Sequence, residues 1–417
     1  MSRKLWLGLA VIPFASPVLA QSNAVPTVAV PANTSVADRP RPGYEPVGGR
    51  IGSFFLYPTI DATASYNSNI RATEDNAVGD VVFDLRPALR LSSIFSRNQL
   101  DASVYFDRTL HVSQGREDYT QYGANVGGRY DLGSNMSFGG SASADRLAVP
   151  RTDINSTFAS RSPVTYTNLS ASGTLRRDFV RLAVVASGSI NHQSFNDAET
   201  IDGTPLPQGF RDNLSYSGSL EGRLSVASRT RLIARGEAGA IRYDDNPLNG
   251  FDRNSSYYRI EGGVGFDATA LLSGDLRVGY FHQNNKDPRF FDSSGLSFSA
   301  NLLYNPTALT SVRLTGNRSV EPGGSTVSSG NVRSTLRVGV DHELLPNLVV
   351  SGAAGYSHVD VQGPLGGANE YDGQLSSVYY VNRRFRLRAA VGYFGRSSTT
   401  FGSYNVATGS LGLTVTF

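Results

Sequence analysis

The sequence predicts an all-β fold, a single closed antiparallel transmembrane β-barrel of about eighteen strands, or sixteen if one pair around 163 to 195 is misread. Three observations carry this. From about Ser53 to Phe417 the chain repeats segments of roughly 10 to 15 residues that alternate apolar with small or polar side chains, the period-two pattern of a strand with two different faces. Tight turns and longer polar connections alternate between those segments, which is the asymmetry of outer-membrane barrels. No apolar run reaches 18 residues and mean hydropathy is −0.22, which excludes helical spans but not strands that are apolar on one face only.

Taken in chain order, Met1 to Ala20 has a basic start at Arg3 and Lys4, an apolar stretch from Leu5 to Phe14, and small or apolar Val18 and Ala20 before Gln21. That is the layout of a signal peptide over 1–20. Residues 21–52 carry Pro26, Pro31, Pro40, Pro42 and Pro46, a composition that neither pairs nor winds, so a flexible tail is expected there, ahead of a barrel over 53–417. Within the barrel region, Val332, Leu336, Val338 and Val340 face one way and Arg333, Thr335, Arg337, Asp341 and Glu343 the other. Tyr122, Ala124, Val126 and Tyr130 likewise oppose Gln121, Asn125, Arg129 and Asp131, and Phe385, Leu387, Ala389, Val391 and Tyr393 oppose Arg384, Arg386 and Arg388.

Tight turns are expected at Ser96–Asn98, Gly133–Asn135, Arg177–Asp178, Ser228–Arg229, Leu272–Gly274, Asn305–Ala308, Leu345–Asn347 and Asn382–Arg383. Longer connections are expected at 68–79, 150–162, 196–210, 244–255, 285–293, 322–330 and 361–369. Both termini then fall at the short-turn end, which in outer-membrane barrels is periplasmic. Outward Tyr66, Tyr122, Tyr216, Tyr258, Tyr280, Tyr356 and Tyr393 cluster near the long-loop ends, and Phe138, Phe266, Tyr304 and Phe385 near the short-turn ends, as two interfacial belts. The chain closes on Leu411, Leu413, Val415 and Phe417 alternating with Gly412, Thr414 and Thr416, which resembles the terminal assembly signal read by the barrel assembly machinery.

Composition removes other classes. With 44 Gly, 21 Phe, 20 Tyr and no Cys, the chain is neither disordered nor a disulfide or thiolate-metal scaffold, and lipoprotein anchoring is excluded. Lys+Arg of 38 against Asp+Glu of 35 becomes 36 against 35 once Arg3 and Lys4 leave with the leader, so nucleic acid has no electrostatic footprint. The expected surroundings are outer-membrane lipid.

Pro58, the run Tyr66-Asn67-Ser68-Asn69-Ile70, Asp80 and Leu85-Arg86-Pro87 resemble the opening of the family called putative beta-barrel porin 2, outer-membrane proteins often associated with exopolysaccharide gene clusters. The likeness is strongest over 53–150, with Asn67 where an Asp is common. It implies a channel for solute passage or exopolysaccharide export, working with envelope export components. It implies no catalytic residue. A barrel that conducts nothing and serves structure or surface interaction is the competing reading.

Candidate lumen residues carry both signs: Arg86, Arg129, Arg223, Arg235, Arg259, Arg277, Arg313, Arg333, Arg337, Arg384, Arg386 and Arg388, with Asp84, Asp107, Glu221, Glu237, Glu261 and Asp267. Cross-strand pairs of opposite sign brace a wall. An unbalanced ladder of Arg333, Arg337, Arg384, Arg386 and Arg388, with Asp372 the one acid expected between its two halves, would instead bias a pore towards anions. Inward Tyr105, Tyr257, Phe281, Tyr380 and Phe394 are candidate sugar platforms. His192 and Ser194, two apart and outward near the rim, have the spacing of an outer-membrane lipid hydrolase, and His111 with Ser113 share it facing the lumen. No orienting acid or amide is identifiable along the sequence for either pair, so no enzyme is expected. Asp341-His342 lies away from any long loop, and Asp244-Asp245-Asn246 and Glu74-Asp75-Asn76 read as solvated turns rather than Ca²⁺ sites. No cofactor or metal is expected. Glycine runs such as Gly262-Gly263-Val264-Gly265 read as close-packed wall.

Overall fold

The structure, a computed structural model, describes residues 34–157, 159–244, 250–266 and 271–417. The expected leader over 1–20 and Asp267 lie outside them. Eighteen long strands, each next to its sequence neighbour, close one antiparallel ring. They are β1 (Phe54–Asn67), β2 (Asp80–Ser93), β3 (Gln99–His111), β4 (Tyr119–Asp131), β5 (Met136–Ala148) and β6 (Thr165–Asp178). Next come β7 (Leu182–Phe195), β8 (Asn213–Ala227), β9 (Thr230–Tyr243), β10 (Ser255–Phe266), β11 (Leu272–Asn285) and β12 (Ser293–Thr307). Then β13 (Thr310–Glu321), β14 (Gly330–Leu345), β15 (Leu348–Gln362), β16 (Gly367–Tyr380), β17 (Phe385–Ser397) and β18 (Tyr404–Thr416) complete the set. The ring shuts where β1 pairs with β18, from Thr59 opposite Thr416 to Asn67 opposite Thr408. Closure removes the two free edges that a sheet of this size would present. The pair around 163 to 195 is genuine, since β6 and β7 pair from Tyr166 opposite Phe195 to Asp178 opposite Ala183.

Register follows the sequence alternation. Paired residues share a face, so outward Leu336, Val338 and Val340 meet outward Gly316, Leu314 and Val312 across one seam. The outward tyrosines of the long-loop belt are all exposed on the barrel surface, as are Phe138, Tyr304 and Phe385 at the other end. A saturated two-sided pattern of this kind suits lipid outside and water inside.

Three expected turns shift by a few residues. Asp178 stays in β6 because Asn135 O accepts its N–H at 2.8 Å, and the turn moves to 179–181. Leu272 already pairs with Tyr304 and so belongs to β11. Asn305 remains in β12, whose bulge lets Thr307 pair with Thr310. Of the tail expected over 21–52, residues 34–52 are described and are not loose. Gly49–Ile51 pairs back onto Phe54–Leu56, and Val36–Asp38 forms a 3₁₀ turn capped by the Ser35 hydroxyl.

Candidate functional site: the lumen and its mouths

Inward positions of β8 to β12 form a paired-charge wall. Arg277 binds Glu221 at 2.6 Å and Asp275 at 3.2 Å, with Glu261 3.8 Å away. Arg235 binds Glu237 at 2.7 Å, and Arg223 binds Glu221. Arg277 can lie along the wall because Gly263 has no side chain beneath it; a Cβ there would come within 2.6 Å of the Arg277 Cγ. On the other arc, the expected unbalanced ladder is largely neutralised. Arg333 sits between Glu321 at 3.1 Å and Glu370 at 2.5 Å, Arg337 pairs with Asp372, and Arg388 pairs with Asp61. These acids come from neighbouring and next-neighbour strands. Among the described residues Arg384 and Arg386 have no ion-pair partner. Arg86 stacks on the Tyr105 ring at 4.3 Å, and Arg129 binds Asp131 at 2.9 Å.

The arc from β5 to β8 is different in kind. Its inward side chains are small hydroxyls that hydrogen-bond across strands: Ser141 with Ser172 at 2.8 Å, Ser143 with Ser170 at 2.9 Å, Thr174 with Ser187 at 3.1 Å, and Ser189 with Ser217 at 2.9 Å. On the adjoining β2 to β5 arc, inward Arg90, Asn125, Arg129 and Ser141 are solvent-exposed inside the ring.

At the long-loop end, connections fold over the mouth and lock together. Loop 149–164, between β5 and β6, reaches roughly the far side of the ring. Arg151 anchors its base to Glu117 through two bonds of 2.9 and 3.2 Å. Ile154 packs into an apolar cluster with inward Val359, Val361 and Ala368. Thr152 O accepts from Arg396 at 2.6 Å, while Asn155 accepts from Gly324 N at 2.9 Å and Asn331 at 3.0 Å. Loop 196–212 joins through Thr157 and Gln208 at 3.2 Å. Arg253, 0% exposed, ties the set: it donates to Ser328 O, Phe210 O and Gly323 O at 2.8, 2.5 and 2.7 Å and lies 3.9 Å above the Tyr243 ring. Burial, with no carboxylate partner among the described residues, pushes its guanidinium below the ordinary arginine range.

At the short-turn mouth, residues 34–46 dock against the inner wall of β13 to β16. Val36, fully buried, donates its N–H to Ser311 Oγ at 2.8 Å. Arg41 binds Glu343 at 2.8 Å and covers Tyr380 at 5.2 Å, and Arg313 binds Asp38 at 3.1 Å.

Other expected positions resolve as follows. Contrary to expectation an acid does stand beside His192, Asp244 at 3.4 Å, but Ser194 donates to Asp212 at 3.2 Å and no hydrogen bond joins His192 to Ser194 among the described residues. His111 faces Asp118 at 3.2 Å, and the Ser113 N–H goes to Asp80. Asp341 accepts from Ser351 at 2.7 Å while His342 contacts Thr310 at 3.0 Å. Glu74 accepts from Ser403 N at 3.2 Å, and residues 245–249 lie outside the described set. The described residues contain no cluster of three potential metal-ligating side chains. Glu370, Arg396 and Arg253, which organise the loops, were not among the expected site residues.

A closed ring with an apolar exterior, aromatic belts and a charged, hydroxyl-bearing interior is a porin-like outer-membrane β-barrel. The chain belongs to the family described as Putative beta-barrel porin 2, whose profile matches residues 41–417. No curated protein matches it. Solved structures to which it is similar include the ferric enterobactin receptor of Pseudomonas aeruginosa, at 8% identity over 87% of this chain and 80% of that chain with a TM-score of 0.47. OpdK of Pseudomonas aeruginosa gives 11%, 87%, 99% and 0.42 for the same four measures. A BenF-like porin of Pseudomonas fluorescens gives 10%, 88%, 100% and 0.46.

Proposed function

We propose that the protein is a bacterial outer-membrane channel for small hydrophilic solutes, with its N-terminal segment and C-terminus on the periplasmic side. The observation that carries this is the solvent-exposed inner surface of the β2 to β5 arc, where Arg90, Asn125, Arg129 and Ser141 border an aqueous space. Rings of about eighteen strands are wide enough to keep such a lumen wet. The folded loops at one mouth and the docked segment 34–46 at the other make the passage narrow and gated.

Exopolysaccharide export is the finer form of this reading. The inward aromatics that would serve as sugar platforms are taken: Tyr105 by Arg86 and Asp145, Tyr257 by Glu237, Tyr380 by Arg41 and Tyr44, and Phe394 by Tyr404. Phe281 is 1% exposed. These contacts favour small solutes. Phe417, with its N–H on Pro58 O at 3.1 Å and its side chain outward, is proposed as the assembly signal.

Planar-bilayer conductance of the purified protein tests the reading. Discrete steps are expected, enlarged when residues 151–162 are replaced by a short Gly-Ser linker. A silent trace at all voltages for both proteins would establish the non-conducting barrel instead.

A further inference from the structure

The wall is not fully zipped. β12 and β13 pair from Ser299 opposite Asn317 to Tyr304 opposite Val312, and again at Thr307 and Thr310. Both strands continue towards the long-loop rim, β12 as far as Ser293 and β13 as far as Glu321. There each pairs only with its other neighbour: Phe298 with Val278 in β11, and Arg318 to Glu321 with Ser334 to Asn331 in β14. Continuing the register would place Phe298, Ser297, Leu296 and Gly295 opposite Arg318, Ser319, Val320 and Glu321, and none of these four pairs forms. At about 3.4 Å per residue the unpaired stretch is about 14 Å long.

The cause is visible in what the β13–β14 tip touches. It leans into the ring. Gly323 N reaches the Tyr243 hydroxyl on β9 at 2.7 Å, and Arg259 on β10 reaches Arg318 O at 2.6 Å, so a lumen side chain takes the carbonyl that a ladder partner would have bonded. Beneath the tip, inward Phe281, Gln283 and Ser297 are 1%, 0% and 0% exposed. Across the gap itself, Arg318 Nη1 reaches Leu296 O at 3.1 Å. Gly295, at the upper end of the gap, has φ +150, a conformation that side-chain-bearing residues rarely adopt. One displacement therefore closes the mouth along the barrel axis and opens the wall sideways.

We propose that this seam is a lateral portal, through which a single-chain amphiphile with an anionic head passes between the lumen and the membrane. Its height and lining choose that class. Leu296 is the register partner of belt residue Tyr280, which puts the seam at the interfacial level. Its outer lip is apolar, with Leu296 63% exposed beside Phe298. Its throat carries Arg318 and Arg259, whose Nε atoms are buried without a hydrogen-bond partner among the described residues. A tail fits the lip and an anionic head fits the two guanidinium groups. The portal extends the channel reading above, and separate readouts keep the two apart.

The test expresses the full chain in Gram-negative cells that lack their own long-chain fatty acid uptake protein, measuring radiolabelled oleate uptake, with bilayer conductance in KCl measured on purified protein. Leu296→Cys with Val320→Cys spans the seam in a chain that has no Cys, so oxidation zips it. Oleate uptake should fall at least tenfold on oxidation and recover on reduction, with conductance changing less than twofold. Arg318→Glu should cut oleate uptake at least fivefold while sparing uncharged oleyl alcohol, and it decides the matter alone if the cysteine pair fails to assemble. Equal uptake by oxidised and reduced protein, or an Arg318→Glu variant that treats acid and alcohol alike, overturns the portal. So does a parent protein that conducts ions but takes up no oleate above background. Oleate uptake without ion conductance upholds the portal and overturns the channel reading.

Discussion

Arg253 is the side chain whose loss should unlock the long-loop mouth. It is fully buried and bonds three backbone carbonyls from two other loops, Phe210 O, Gly323 O and Ser328 O. Charged hydrogen bonds contribute about 1.5 to 3 kcal/mol each, but in Arg253→Ala the freed carbonyls regain water as the loops part. A net loss of about 3 to 4 kcal/mol is therefore expected, less than the three bonds summed. At about 1.4 kcal/mol per tenfold, the closed-to-open ratio of the mouth falls by two to three orders of magnitude. Single-channel recording should show a larger conductance level occupied for much of the time, where the parent visits it rarely. Arg253→Lys should fall between, because one ammonium cannot serve three carbonyls in a planar fork. Conductance and dwell-time histograms of assembled Arg253→Ala that superimpose on the parent's would refute this account of the mouth.

Acid should act on the same lock. Paired hydrogen bonds from Arg289 hold the Asp287 carboxyl well below the usual carboxylate range, and Asp287 also accepts from Asp252 N at 2.9 Å, next to Arg253. A depressed carboxyl stabilises the fold above its unfolded value, about 3.9, and that contribution is lost as pH falls from there towards the folded value. Large-conductance events should become frequent below about pH 4, and Asp287→Asn should show them at pH 7. Arg384 and Arg386, unlike the other ladder arginines, lack an ion-pair partner among the described residues, so only a mild anion preference is expected. Arg386→Glu should lower the anion-to-cation permeability ratio a few-fold by reversal potential under a KCl gradient, and no change would make these arginines irrelevant to selectivity. Leu411, 70% exposed near the middle of β18, faces lipid, so Leu411→Arg should cost about 2 to 4 kcal/mol in denaturant unfolding from bilayers. A change within about 0.5 kcal/mol would mean a water-facing exterior. Deleting Phe417 should abolish the heat-modifiable band on a gel, and a normal band would remove it as an assembly signal.

The ring was legible because its determinants are local. Period-two alternation fixes which side of Leu336, Val338 and Val340 meets lipid, and turn chemistry at positions such as Asn347 fixes where strands reverse. The ion pairs were only half legible. Arg235 and Glu237 lie on one strand and could be read off, but Arg333 with Glu370 joins strands separated by another, so the pairing depends on side-chain reach over the intervening strand. That is why an unbalanced ladder was expected where Arg333, Arg337 and Arg388 are in fact neutralised.

The covered mouth did leave a trace in the sequence, in the inward positions alone. Along β18, inward Thr416, Thr414, Gly412, Ser410 and Thr408 give way to Val406 and Tyr404 as the strand nears the long loops. Along β15, inward Ser351, Ala353, Gly355 and Ser357 give way to Val359 and Val361. An open aqueous mouth would leave those side chains wet, at a cost of about 1.5 to 3 kcal/mol for each large apolar group that could have been buried. They are instead 0% to 5% exposed, beneath loop residues or beside them. A switch from polar to apolar on the inward face thus announces that something must cover it. It does not say what: loop 149–164 contributes Ile154 to the cluster from within a polar run, Arg151-Thr152-Asp153 before it and Asn155-Ser156-Thr157 after it, which read along the chain is indistinguishable from a solvated loop. The demand for a cover is written locally in the strands, while its supplier is chosen by distance across the ring, which no spacing along the chain encodes.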